Sequence, residues 1–220
     1  VIRASSDVLL KRDDLSPPTR SFVEKISRAG RDMEELSQAL LLLARENEVG
    51  PEQQQVIVNE IVEQEISKAE LIYRDKQLNI AFKQNHTLYL RGSGKMLGLV
   101  FGNLIRNACA YTEQGGVNIT IGDKYVEIAD SGIGIANKDL KAVFQPYFRI
   151  EKSVESGHGI GLSLVKRLTD RFGWPLTLNS EEGVGTTVRV SLPLSHVSPS
   201  PVTQARESTR ELAPENSTAA

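Results

Sequence analysis

A single cysteine in 220 residues excludes an internal disulfide and leaves no cysteine cluster for a metal. Cys109 then reads as a small packing residue on a helix. Long apolar runs are missing too. The longest, Leu40-Leu41-Leu42-Leu43-Ala44, falls far short of the roughly 20 residues a bilayer span needs, and no charged-then-apolar leader opens the sequence. Neither sign of charge dominates: 26 Lys plus Arg stand against 28 Asp plus Glu. The resulting net charge of −2 gives no electrostatic reason to expect nucleic acid as a partner. Histidine is scarce as well. His86 falls at a turn between two expected strands, His158 in a glycine loop and His196 in a tail, so none lies on the first helix. The length suits one domain of ordinary size plus a smaller one, and a reducing, cytoplasmic compartment is expected.

What is present is organised around Asn103-Leu104-Ile105-Arg106-Asn107-Ala108-Cys109-Ala110-Tyr111-Thr112. Asn103, Asn107 and Tyr111 recur every four residues, so a helix sets their polar side chains in one row while Leu104, Ile105 and Ala108 face inward. Two further signals accompany that row: Asp130-Ser131-Gly132-Ile133-Gly134-Ile135 after a strand-like run, and Gly157-His158-Gly159-Ile160-Gly161-Leu162 opening a helix-like one. Together the three read as a nucleotide pocket. Adenine recognition needs a fixed acceptor for the exocyclic amine and a backbone that comes close to the ring. Asp130 at a strand end supplies the carboxylate, and Gly132 and Gly134 remove side chains that would block approach. Gly157, Gly159 and Gly161 lead into a helix N-terminus, which aims unpaired amides at an anion. Taken singly, an Asp before Gly-x-Gly is a turn and the asparagines are helix surface.

Residues 1–48 read as a helical hairpin. A helix remnant to about residue 13 carries Ile2, Val8, Leu9 and Leu10. Leu15-Ser16-Pro17-Pro18 ends it, with Ser16 as the cap of a second helix. In that second helix Phe22, Ile26, Ala29, Met33, Leu36, Leu40 and Leu43 alternate spacings of four and three, the seam of a bundle or coiled coil. Two helices alone bury too little, so a homodimer through residues 1–48 is expected; the other reading is a plain amphipathic helix on a monomer core. Glu48-Val49-Gly50-Pro51 marks the boundary and 49–54 a linker.

Residues 55–194 then form the main domain. A strand near 55–58 and a helix to about Tyr73 lead into strands 78–83 and 87–91 about a turn at Asn85-His86. The polar-stripe helix spans 93–111, and 116–121 with 125–129 alternate as a hairpin. A lid over 137–155, a helix over 160–172 and strands at 176–179 and 186–192 follow. The fold class expected is α+β, a two-layer α/β sandwich in which one mixed sheet is covered by helices. From 195 to 220 the composition of Ser, Thr, Pro, Glu and Ala reads as a disordered tail.

The asparagine helix, Asp130-x-Gly-x-Gly, Phe144-Gln145-Pro146-Tyr147-Phe148, the triple-glycine loop and Gly183-Val184-Gly185-Thr186-Thr187 stand in one order. That order resembles the ATP-binding domain of sensor histidine kinases, in the superfamily shared with DNA gyrase, chaperone and mismatch-repair ATPases. The resemblance implies ATP and Mg2+ as cofactors, with Asn107 as metal ligand assisted by Asn103, Tyr111 near the phosphates and Thr186 beside Asp130. Ile135, Ile160 and Leu162 join the ATP-binding set through the same motifs. Arg149 and Lys152, in the lid, are candidates to approach the terminal phosphate on closure, and His158 to face the γ-phosphate or metal. For each of these the alternative is a solvated side chain. Phe144 and Phe148 read as lid anchors and Trp174 as packing. Where the family commonly has a basic residue this chain has Ala110, so one phosphate contact is missing.

The hairpin resembles the family's dimerisation and phosphoacceptor domain, entered after its acceptor motif. That motif, a His followed by an acidic residue and Arg-Thr-Pro-Leu, is then expected upstream of Val1, and no histidine of this chain replaces it. A response regulator receiver domain is the partner implied, and a membrane link only through a sensor region upstream. Gyrase-like relatives carry Glu at the position of Asn103 to activate water. An asparagine amide cannot take a proton at neutral pH, so the site is expected to hold ATP for attack by an external nucleophile, by positioning and electrostatics. A non-catalytic nucleotide-sensing module, a serine-directed protein kinase and a hydrolysing ATPase remain as alternatives.

Overall fold

The computed structural model describes residues 2–12, 14–45, 55–150, 159–193 and 196–199. Helices α1 (Ile2–Leu10) and α2 (Pro17–Arg45) form the hairpin. Arg20 closes it, its guanidinium donating to the carbonyls of Leu10 at 3.1 Å and Arg12 at 2.7 Å, where a cation offsets the exposed helix-end carbonyls. Ser16 caps α2 by accepting from the Thr19 amide at 3.4 Å. Of the expected seam, Phe22, Ile26 and Met33 are exposed by 64%, 52% and 65%, whereas Val23 and Ser27 are buried. These three seam residues thus lie on the outward face of the hairpin, and Ala29 is half-buried. The side chains of Leu36, Leu40 and Leu43, and the boundary and linker over 46–54, lie outside the described residues.

The rest runs β1 (Gln55–Ile57), α3 (Val58–Ile72), β2 (Leu78–Gln84), β3 (His86–Arg91), α4 (Gly94–Ala110), β4 (Gly115–Ile121), β5 (Tyr125–Asp130), α5 (Gly161–Arg171), β6 (Leu176–Glu181), β7 (Gly185–Ser191) and β8 (His196–Pro199). Five strands form a mixed sheet in the order β2-β4-β5-β7-β6, parallel between β2 and β4 and antiparallel elsewhere. Helices α3, α4 and α5 share one hydrophobic core with it. The mixed sheet covered by helices is the architecture the alternation of periodicities implies.

Two features differ from the sequence expectation. Strands β2 and β3, with only Asn85 between them, do not pair; β3 leaves for a second sheet of order β1-β3-β8. The buried Asn59 of α3 holds the divergence, donating to Gln84 Oε1 at 2.8 Å and to the His86 carbonyl at 2.9 Å while accepting from the Leu88 amide at 3.0 Å. Two of these bonds satisfy backbone groups of β3, the His86 carbonyl and the Leu88 amide. The second difference is at the expected tail. His196–Pro199 pairs antiparallel with β3, because the edge of β3 offers unpaired backbone groups that a polar segment can still satisfy. Residues 200–220 lie outside the described residues.

The five-stranded sheet presents its core side in cross-strand rows. Leu176, Val190, Val126 and Ile121 form one; Leu178, Val188, Ile128, Ile119 and Phe82 form the next. The third begins as Ile80 and Val117 but continues as Asp130, Thr186 and Ser180. Side chains two apart on a strand share a face, so these three polar residues stand on the core side, at the end where the apolar rows stop.

Helix α4 is fastened at its C-terminus by Lys76, whose ammonium lies 2.7 Å from the Ala110 carbonyl and 3.3 Å from that of Cys109. Lys76→Met keeps the stem and removes the charge; we expect the domain to lose about 1–2 kcal/mol of stability, measured by urea unfolding. On the same helix burial pushes the Cys109 thiol up to about 12, so it stays protonated and packs as a small apolar group.

Candidate functional site

Asp130 is the last residue of β5, inward-facing by the alternation of Val126 and Ile128. Its Oδ1 accepts from the Gly132 amide at 2.9 Å and the Thr186 amide at 3.2 Å. Burial pushes the carboxyl above its ordinary range, while these two amides pull the other way. Oδ2 accepts no hydrogen bond among the described residues. The turn after Asp130 is held by three elements: the Ile133 amide donates to the Tyr111 carbonyl at 3.1 Å, the Gly183 amide to the Ile133 carbonyl at 2.8 Å and the Ile135 amide to Ser180 Oγ at 2.8 Å. Gly134 has φ +64°, and a Cβ there would strike the Glu181 carbonyl. That close approach of the turn to β6 is why a glycine is required.

Asn103 and Asn107 lie on the side of α4 that meets the start of α5. A Cβ on Gly161 would come within 2.8 Å of Asn103 Oδ1 and 3.7 Å of Asn107 Nδ2, so the last glycine of the loop lets the N-terminus of α5 seat against the asparagine row. Asn103 is buried, 5% exposed, and its amide donates to the Leu99 carbonyl at 2.8 Å. What it keeps is a carbonyl oxygen and a second amide hydrogen. An oxygen donor of this kind suits Mg2+, which takes few protein ligands and completes its shell with water and phosphate. Among the described residues no three His, Cys, Asp or Glu gather as an alternative metal cluster.

Of the remaining expected residues, Tyr111 follows α4 and contributes its carbonyl to the turn. Ile135 is buried, Ile160 and Leu162 are half-buried at the start of α5. The Gly159 carbonyl accepts from the Tyr147 amide at 2.9 Å, which ties the glycine loop to the Phe144–Phe148 segment. Tyr147 is 74% exposed with φ +66°. Arg149 is exposed beyond it. Lys152, Gly157 and His158 lie outside the described residues, with the lid from 151 onward. Trp174 is buried, its ring 5.2 Å from that of Phe172. The residue that sequence reasoning missed is Ser180. Its signal was parity, since Leu176, Leu178 and Ser180 alternate toward the core while the loop after them returns to Thr186.

Residues 92–196 match the family model described as histidine kinase-, DNA gyrase B-, and HSP90-like ATPase. The sensor-like histidine kinase SenX3 of Mycolicibacterium smegmatis is 28% identical over 217 residues, covering 94% of this chain and 56% of the relative. Sensor histidine kinase WalK of Bacillus subtilis is 30% identical over 131 residues, covering 54% of this chain and 21% of its own. The chain spans about half the length of the first of the curated relatives it matches. Full-length ShkA, solved in complex with AMPPNP, has a similar fold, with a TM-score of 0.59 at 24% identity over 88% of this chain and 42% of that one. The mixed sheet, the asparagine-lined helix and the inward aspartate at a strand end agree with these matches: residues 92–196 are similar to the histidine kinase-, DNA gyrase B-, and HSP90-like ATPase domain, and the chain is similar along most of its length to sensor histidine kinases.

Proposed function

We propose that ATP binds with its adenine at the Asp130 end of the sheet and its phosphates between the asparagine row of α4 and the N-terminus of α5, and that the γ-phosphoryl is transferred to a histidine upstream of Val1. The observation that carries this reading is Asn103. It stands beside the start of α5 with one amide hydrogen donated to the Leu99 carbonyl, and an amide offers no base to activate water. An external nucleophile must then act: the lone pair of a neutral imidazole forms the N–P bond as the bond from phosphorus to the bridging oxygen breaks and ADP leaves. Asn107, with Asn103, holds Mg2+, which neutralises charge on the phosphates when bound. Tyr111, Thr186, Gly132, Gly134, Gly159 and Gly161 shape the nucleotide site.

Residues 1–48 serve as the dimerisation hairpin, supported by the exposed Phe22, Ile26 and Met33, and 55–194 as the catalytic domain. The phosphoryl group passes on to an aspartate of a response regulator receiver domain. Among the described residues no helix is long and apolar enough to cross a membrane; we place this part in the cytoplasm, with any membrane link upstream.

The test joins the chain to its native upstream segment and supplies γ-labelled ATP. An acid-labile, base-stable label on the protein, removed by a receiver domain, is the expected result. Steady phosphate release without an acceptor would overturn the argument from Asn103. ATP binding without any label favours a nucleotide-sensing module, the reading to which Ala110 lends itself.

A further inference from the structure

Ser180 sits at the end of the polar row, beside Thr186 across the strand pair and one strand further from Asp130. A serine hydroxyl has one proton and two lone pairs, and here all three are used. The proton goes to the Gly185 carbonyl at 2.8 Å, one lone pair takes the Ile135 amide at 2.8 Å, and the Thr186 hydroxyl lies 2.8 Å away. With the proton of Ser180 already committed, Thr186 must donate. Thr186 Oγ1 is thereby left with lone pairs only for anything lying against the row. Asp130 points the same way, because its free oxygen, Oδ2, offers lone pairs alone while the carboxyl is ionised.

We infer that Ser180 is a positioning residue that fixes the Thr186 hydroxyl as an acceptor and thereby makes the site select purines with an amino group at position 6 over 6-oxo purines. Adenine presents donor hydrogens there. Hypoxanthine and guanine present an oxygen, which meets two acceptors and no donor. The inference rests on the adenine reading of the Asp130 end. Ser180 itself need not touch the nucleotide. It acts through Thr186, and through Ile135 it also ties the turn after Asp130 to β6.

The test compares the dissociation constants of ATP and inosine triphosphate, which share the triphosphate and ribose, by displacement of a fluorescent ATP analogue. In Ser180→Ala the Thr186 hydroxyl is released to donate, and the preference for ATP over inosine triphosphate is expected to fall about five- to tenfold. Ser180→Thr, which keeps a hydroxyl, should retain the preference. Thr186→Val should lose it to the same extent, and the double variant should lose no more than either single one. Thr186→Val leaves the bonds from Ser180 to Gly185 and Ile135 intact, so it reads the same ratio should Ser180→Ala not fold. Equal weakening of both nucleotides in Ser180→Ala, or an unchanged ratio, overturns the inference. Asp130→Asn separates the two levels: if it binds ATP like the parent, the adenine reading itself fails. If it loses ATP while Ser180→Ala keeps the parental ratio, only the role of Ser180 fails.

Discussion

Asp130→Asn is expected to lower ATP affinity about 100-fold or more and at the same time to raise the melting temperature of the nucleotide-free protein by about 2–4 °C. Both effects have one cause. The carboxyl sits on the core side of the sheet, and burial raises its pKa against the pull of the Gly132 and Thr186 amides. A raised pKa in the folded state means that this group favours folding below its unfolded pKa and loses that contribution as pH rises through the folded value. At neutral pH the ionised group is therefore a cost to the fold. An asparagine keeps an oxygen for both amides and removes the charge, so the fold gains. It also turns a donor toward the donor amine of adenine, so binding is lost. Thermal unfolding without nucleotide and titration with a fluorescent ATP analogue measure the two halves. A lower melting temperature with binding retained would contradict the placement of this carboxylate. The parent protein should show the matching pH dependence, with ATP affinity declining as pH falls through the raised value.

Asn107→Ala is expected to abolish the magnesium dependence of ATP binding, with affinity in the presence of Mg2+ falling about 100-fold. Alanine is the best helix former, so α4 should persist and far-ultraviolet circular dichroism should not change. Asn107 faces the gap left by Gly161, where its nitrogen lies 3.7 Å from the position a Cβ would take. The informative comparison is titration with and without Mg2+ in both proteins. Equal magnesium dependence in parent and variant would remove Asn107 as the ligand and move the metal elsewhere.

Local pattern carried much of the fold. The polar row and apolar periodicity around Asn103 gave a helix over 93–111, and α4 spans Gly94–Ala110. Alternation around Gly122-Asp123-Lys124 gave the β4–β5 hairpin. What stayed illegible depends on partners distant in sequence. Strands 78–83 and 87–91 look like a hairpin because nothing within them forbids it. Their separation is held by Asn59, buried on α3, whose bonds reach Gln84, His86 and Leu88. The segment 196–199 has tail composition, and only the open edge of β3 makes it a strand. In the site, Asp130 was legible because a carboxylate before Gly-x-Gly is conspicuous. Ser180 was not, because a serine in a strand says nothing until the register sets it beside Thr186.

The position of β7 bears on how the protein is made. It is the last strand of the five-stranded sheet in sequence, yet it lies inside, between β5 and β6. Until Gly185–Ser191 has left the ribosome, β5 keeps a bare edge and β6 has no neighbour in the sheet. A nascent chain stopped short of it presents an open strand edge of the kind that recruits other chains. The base end of the site also stays unassembled, since Thr186 arrives with that same strand. Binding competence and protection from aggregation therefore appear together, late in synthesis, and a chain that has captured ATP in this site has already closed its sheet.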